Sequence, residues 1–234
     1  MSYIKVDHLV KRYGKGEVAF TAVKNMSLDV DQGEFIAIMG ESGSGKSTLL
    51  TMMGALNSPT NGRYWVDGID VYGLTQDQMA EFRREYLGFI FQSFHLIPYL
   101  TVMENVMLPF AIVNMKSSEK REMAQEALKH VGLEGKEERL PNEISGGEQE
   151  RVAIARAIVN EPTILLADEP TGNLDTKTSR SIMELFQSLN GEGMTIVMVT
   201  HSSESSQCAR RILRVSDGLL VGEDKVEKVW IVHD

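Results

Sequence analysis

Between Phe35 and Leu50 the chain runs Phe-Ile-Ala-Ile-Met and breaks into Gly-Glu-Ser-Gly-Ser-Gly. It resumes at Lys46-Ser47-Thr48 with an apolar pattern through Leu49, Leu50, Met52 and Met53. A strand, a glycine-rich turn and a helix in that order leave few folds open. Residues Gly40, Glu41, Ser42, Gly43, Ser44, Gly45, Lys46, Ser47 and Thr48 match G-x-x-x-x-G-K-[ST], the phosphate-binding loop. Glycines let successive backbone N–H groups turn into one concavity that an anion fills, and the helix start adds the positive end of its dipole. Lys46 then reaches the outer phosphates, and the Ser47 hydroxyl is suited to Mg²⁺. The pattern arises by chance in roughly 1 in 100 chains of this length, so the flanking strand and helix matter to the reading. Together they point to a nucleoside triphosphate.

The remaining acidic and polar candidates fall where strands end. Thr163-Ile164-Leu165-Leu166-Ala167-Asp168-Glu169-Pro170 is an apolar run of the kind found in strands covered on both faces, stopped by proline after two carboxylates. Asp168 is placed to help hold Mg²⁺, and Glu169 to orient or deprotonate an attacking water. A second run, Met194–Thr200, ends at His201, and Gly88-Phe89-Ile90-Phe91 reads as a strand ending at Gln92. In a parallel α/β sheet the carboxyl ends of strands face the ligand.

A second anion-binding helix start is visible at Ile144-Ser145-Gly146-Gly147-Glu148. Ser145 and Glu148 alone make a capping box, but such a box has no need of Gly146 and Gly147, which leave helix-start N–H groups uncovered. One chain therefore carries two phosphate-facing helix starts and only one phosphate loop.

Elsewhere the pattern is readable in outline. Residues 3–13 and 18–30 read as strands, Tyr13 closing the first, where an aromatic usually packs in a hairpin. Arg63–Val66 is a strand turning at Asp67-Gly68, with Ile69 and Val71 beyond; Gln76–Tyr86 is a charged helix. From 93 to 160 helical signals dominate: a capping box at Thr101-Val102-Met103-Glu104, then a helix from Ser117 or Ser118 ended by Gly132. The apolar stretch Phe94–Leu100 is either buried at a seam or exposed for docking. Asp175 reads as the N-cap of the helix bearing Ile182, Leu185, Phe186 and Leu189.

The net charge of −9 argues against a general nucleic-acid binder, and the single cysteine, Cys208, fits a reducing compartment. The first residues lack the apolar core of a signal peptide, and no apolar run approaches the roughly 20 residues of a spanning helix. The expectation is a cytoplasmic protein whose membrane role, if it has one, comes through a partner.

The phosphate loop, Gln92, ISGGE at 144–148, ILLADEP at 164–170, Gly172-Asn173-Leu174-Asp175 and His201 resemble, in order, the motif set of ATP-binding-cassette ATPases. The resemblance covers essentially the whole chain. It implies an α/β fold: a P-loop NTPase core with a mostly parallel sheet (1–92 and 161–234), an N-terminal antiparallel β subdomain, and an inserted helical subdomain (93–160). It implies ATP and Mg²⁺ as ligands, with Tyr13 stacking on adenine and Gln92 contacting Mg²⁺ and water. Glu169 becomes the general base and His201 the γ-phosphate contact. Ser145, Gly146, Gly147 and Glu148 would complete the ATP site of a second copy, with Asp175 at the dimer seam. The partner implied is an integral membrane permease on the inner face of the cell membrane. The family's commonest signature is LSGGQ. Ile144 keeps apolar volume, and Glu148 is expected to turn into the capping box. Thr171–Asp175 and the Gly14–Asn25 stretch resemble the lipoprotein-release, macrolide-efflux and cell-division subgroup. A soluble family ATPase acting on nucleic acid would carry two cassettes or a coiled-coil insertion; a small kinase would leave ISGGE and His201 without roles. A complex that signals across the membrane stays open.

Overall fold

Strands whose apolar side chains alternate between two separate cores build the centre of the molecule. The structure, a computed structural model, describes residues 2–227. The strands β1 (Ile4–Tyr13) and β2 (Phe20–Val30) form a hairpin, and after it β3 (Phe35–Met39) enters a different sheet. Two further strands, β4 (Asn61–Val66) and β5 (Ile69–Asp70), complete an antiparallel sheet ordered β2-β1-β4-β5. The second sheet adds β6 (Leu87–Ile90), β7 (Ile164–Asp168), β8 (Thr195–Thr200), β9 (Arg211–Ser216) and β10 (Leu219–Lys225), in the order β10-β9-β3-β8-β7-β6. All its pairings are parallel except the antiparallel edge pair β9–β10. This is the α/β architecture of a P-loop NTPase with its antiparallel N-terminal sheet.

Along β3, Phe35 and Ala37 face one core while Ile36 and Ile38 face the other; β7 and β8 alternate in the same way. The second core lies against the antiparallel sheet, α1 (Lys46–Met53) and α2 (Gln76–Tyr86). The first lies against α3 (Val102–Met107), α4 (Ser117–His130), α5 (Gly146–Ile158) and α6 (Thr176–Gly191); a short α7 (Ser203–Ser206) follows β8. Each fully buried branched side chain contributes about 1.5–3 kcal/mol relative to exposure. That double coverage explains why these strands read as unbroken apolar runs.

Local capping decides where helices begin. Thr75, Thr101, Ser145 and Asp175 each accept a backbone N–H from the first turn of α2, α3, α5 and α6. Three sequence expectations need correction. Gln92 lies two residues past the end of β6, because that strand pairs with β7 only from Leu87 to Ile90. Val71 turns into a 3-10 segment (Val71–Gly73) instead of extending β5. The strand expected from residue 18 starts only at Phe20, because Gly16–Val18 forms a 3-10 turn between β1 and β2.

The Phe94–Leu100 segment is partly held and partly exposed. The buried side chain of Asn105 receives a hydrogen bond from Ile97 N–H and donates to the carbonyls of Ile97, Leu100 and Thr101. Arg156 donates to the carbonyls of Phe94 and His95. Tyr99, at 78% exposure, stands out into solvent.

Candidate functional site

The phosphate loop is shaped by close backbone approaches. A Cβ on Gly40 would come within 2.0 Å of the Val215 carbonyl oxygen, and one on Gly45 within 2.2 Å of that of Ala22. Gly43 and Gly45 also have positive φ, the region that favours glycine. Gly218 N–H donates to the Ser44 carbonyl, so the β9–β10 turn braces the loop from one side. The first turn of α1 has no side-chain cap, unlike those of α2, α3, α5 and α6, so its N–H groups are left for an external acceptor. Lys46 is buried and folds back to donate to the carbonyls of Gly40 and Glu41 at 2.9 and 2.8 Å.

Across the sheet from the loop, Ser47 Oγ donates to Asp168 Oδ1 at 3.0 Å. Burial raises the Asp168 carboxyl above the usual range, with Ser47 and Lys46 pulling the other way and Glu169 adding to the rise. A hydroxyl beside a desolvated carboxylate is a hard-oxygen donor pair, which fits Mg²⁺. Glu169 follows at the strand end, buried and with φ +51, a left-handed conformation costing about 1–3 kcal/mol in a residue that is not glycine. His201 Nδ1 stands 2.8 Å from Glu169 Oε2, and the His201 N–H donates to the same oxygen at 3.2 Å. The ends of β3, β7 and β8 thus bring Lys46, Ser47, Asp168, Glu169 and His201 into one cluster. Gln92 is near only through its backbone, whose carbonyl accepts from Asn173; its exposed side chain bonds neither Ser47 nor Asp168. Tyr13 sits on the β1–β2 hairpin, stacked on Phe20.

The second helix start lies elsewhere. At α5, Ser145 N–H and Oγ both donate to Glu148 Oε2 at 2.8 Å, and Lys136 Nζ lies 3.0 Å from Glu148 Oε1. The backbone N–H of Ser145, then Lys136, hold the Glu148 carboxyl down at about 2. Gly147 abuts Thr178 on the first turn of α6, where Asp175 is the cap, and Gly146 faces Leu174 and Phe94. Among the described residues no hydrogen bond or ion pair joins residues 145–148 to residues 40–48.

The family model described as ABC transporter matches residues 23–172, more than half the chain. The chain is an ABC transporter ATP-binding domain. It is 47% identical over 218 residues to the ABC transporter ATP-binding protein YknY of Bacillus subtilis, covering 93% of this chain and 95% of that one. It is 42% identical over 229 residues to the macrolide export ATP-binding/permease protein MacB of Mannheimia succiniciproducens, covering 98% of this chain but only 36% of the relative. The chain thus spans almost all of YknY and about a third of MacB. The dimeric structure of MJ0796, a bacterial ABC transporter cassette, superposes with a TM-score of 0.88 at 45% identity, covering 96% of this chain and 99% of that one. A post-hydrolysis dimer of the same cassette, bound to ADP and phosphate, also superposes with a TM-score of 0.88.

Three residues of this ABC domain, two that bond and one that is buried, are not marked by any motif. Asn105 bonds the 97–101 segment that leads into its helix, Lys136 pairs with Glu148 on α5, and no local pattern marks them. Glu150 is almost fully buried on α5, and burial raises its carboxyl to about 8. Its spacing from Ala153, Ile154 and Ala157 was the available signal.

Proposed function

We propose that the chain is an ATP-hydrolysing subunit whose two copies close head to tail on two Mg·ATP and drive a membrane permease, in an export or extrusion system. The observation that carries this reading is the convergence of Ser47, Asp168, Glu169 and His201 at the carboxyl ends of neighbouring strands, beside an uncapped phosphate loop. The loop N–H groups from Gly40 to Thr48 cradle the phosphates, and Lys46 exchanges the carbonyls of Gly40 and Glu41 for phosphate oxygens. Ser47 and Asp168, with Gln92, would hold Mg²⁺; when bound, the ion would offset phosphate charge. Glu169 orients water for attack on the γ-phosphorus and takes its proton as the bond to ADP breaks. His201, in hydrogen-bond contact with Glu169, contacts the γ-phosphate. Tyr13 receives the base.

The missing charge stabilisation comes from a second copy. Its α5 start, with Ser145, Gly146, Gly147 and Glu148, supplies the surplus anion site, and Asp175 lies at the seam. The dimeric MJ0796 cassette supports this arrangement. A groove between α2, β6 and the turn after α3, lined by Arg83, Leu87, Phe89, Pro109 and Ile112, suits a permease helix. Ile112 is 81% exposed there. None of the described helices is long and apolar enough to cross a membrane, and the MacB relatives are named as combined ATP-binding/permease proteins. We assign this domain to the cytoplasmic face of the membrane, coupled to an integral membrane permease.

Glu169→Gln tests the reading. With saturating Mg·ATP it should accumulate as a dimer by light scattering with little turnover. A variant that stays monomeric there would overturn the sandwich.

A further inference from the structure

The base-binding end of this site holds a second ring that the motif set does not assign. We infer that Phe20 contacts the nucleobase, so that Phe20 and Tyr13 together form a two-ring stacking platform; this rests on the ATP reading above. Phe20 is a large aromatic on a regular strand, yet 61% exposed. It is the cross-strand partner of Tyr13, and the two rings stack with centroids 5.5 Å apart and planes at 26°.

Tyr13 itself is already heavily engaged. Besides Phe20, the Lys11 ammonium lies 5.1 Å from its ring centroid, and Asn57 donates to its hydroxyl. Lys11 is pinned in turn by donating to the Ser58 carbonyl at 2.6 Å. The tyrosine is thus the fixed ring of the platform, and the more exposed ring of the pair is Phe20.

The pair stands beside the phosphate loop. The Ala22 carbonyl on β2 is the atom that forbids a side chain on Gly45, and Lys24 N–H donates to Gly218, whose own N–H braces Ser44. Phe20 precedes Ala22 by two residues, about 7 Å along a strand and on the same side of it. A nucleotide whose phosphates fill the loop and whose base turns toward β2 meets this ring. Stacking of this kind is indifferent to base identity, because every base has a π face. Adenine and guanine nucleotides should gain equally from it.

The experiment measures affinity for Mg·ATP, Mg·GTP and inorganic triphosphate in the intact chain. Phe20→Ala and Phe20→Leu should each weaken both nucleotides about 5- to 10-fold, the lower range for one aromatic in base stacking, and leave triphosphate affinity unchanged. In Phe20→Trp, emission should be quenched by ATP and GTP but not by triphosphate, measured against the wild-type response of Trp65 and Trp230. Wild-type nucleotide affinity in the Ala and Leu variants, with no added quenching in Phe20→Trp, overturns the inference and leaves the ATP reading intact. Recovery of affinity in Phe20→Leu assigns the effect to apolar volume and overturns it too. Equal losses for triphosphate and ATP would make Phe20 a brace of the loop, again overturning it. A wild type that binds no Mg·ATP overturns both readings.

Discussion

The start of α5 carries an acid whose contribution to stability has a definite pH signature. Glu148 accepts the N–H and hydroxyl of Ser145 through one oxygen and faces Lys136 through the other, each within 3.0 Å. Its carboxyl is held at about 2, against an ordinary value of 4.5, chiefly by the Ser145 N–H. At ~1.36 kcal/mol per pH unit that difference sets an upper bound of ~3.4 kcal/mol. The side chains of Glu148 and Lys136 are 28% and 43% exposed, so solvent screens the pair. A capping interaction of ~1 kcal/mol and an ion pair of ~0.5 kcal/mol are the realistic parts. Glu148→Ala should therefore lose about 1.5 kcal/mol at pH 7. Glu148→Gln, which keeps an acceptor for the cap, should lose about 0.5–1 kcal/mol. Because the folded-state value is depressed, the stabilisation is complete above 4.5 and is lost as pH falls from there toward 2. Urea unfolding at pH 7, 5.5, 4.5 and 3.5 checks this: the gap between wild type and Glu148→Gln should be constant down to about 5 and narrow below 4.5. A gap at pH 3.5 as large as that at pH 7 would refute the assignment of the effect to an ionised Glu148. Lys136→Met should remove only the ion-pair part, and should have no effect in the Glu148→Gln background.

Two further perturbations separate shape from chemistry. Gly43→Ala meets open space at φ +78 and should lose about 1–2 kcal/mol, whereas Gly45→Ala, at φ +99 and 2.2 Å from the Ala22 oxygen, must also displace β2 and should lose clearly more; equal midpoint shifts in urea would contradict the close approach. Asn105→Ala leaves Ile97 N–H and the Leu100 carbonyl without a partner, while the Ile97 and Thr101 carbonyls keep the N–H groups of Leu100 and Asn105, and should cost about 2–4 kcal/mol, with hydrogen exchange accelerated at Ile97 in particular; an unchanged Ile97 amide would contradict Asn105 as the anchor of the 94–100 segment.

What could be read in advance follows the range of the interactions involved. The caps at Thr101, Ser145 and Asp175 act over three residues, and the chain spells each of them out in place. The cluster of Ser47, Asp168, Glu169 and His201 is assembled from distant parts of the chain, yet it too was legible. The rule that carboxyl ends of parallel strands share one edge replaces the missing distances. Gln92 marks the limit of that rule. β6 is an edge strand, paired on one side only, and its pairing stops at Ile90, so the residue at its apparent end is not held in the sheet.

Side chains whose partners lie on another element are invisible to such reasoning, and they are where this molecule departs from its motifs. Lys136 is an ordinary surface lysine until the loop carrying it is laid against Glu148. Phe20 looks like a strand residue due for burial until its partner proves to be Tyr13 and its other side proves open. Glu150 is the instructive middle case. Gln149-Glu150-Arg151 reads as a polar triplet, but α5 turns Glu150 onto the stripe of Ala153, Ile154 and Ala157, where burial lifts its carboxyl to about 8. A neutral acid there avoids the desolvation that an ionised one would suffer, so it can remain in an apolar stripe. Periodicity alone would have placed Glu150 correctly, had the polar residue been weighed by position and not by type.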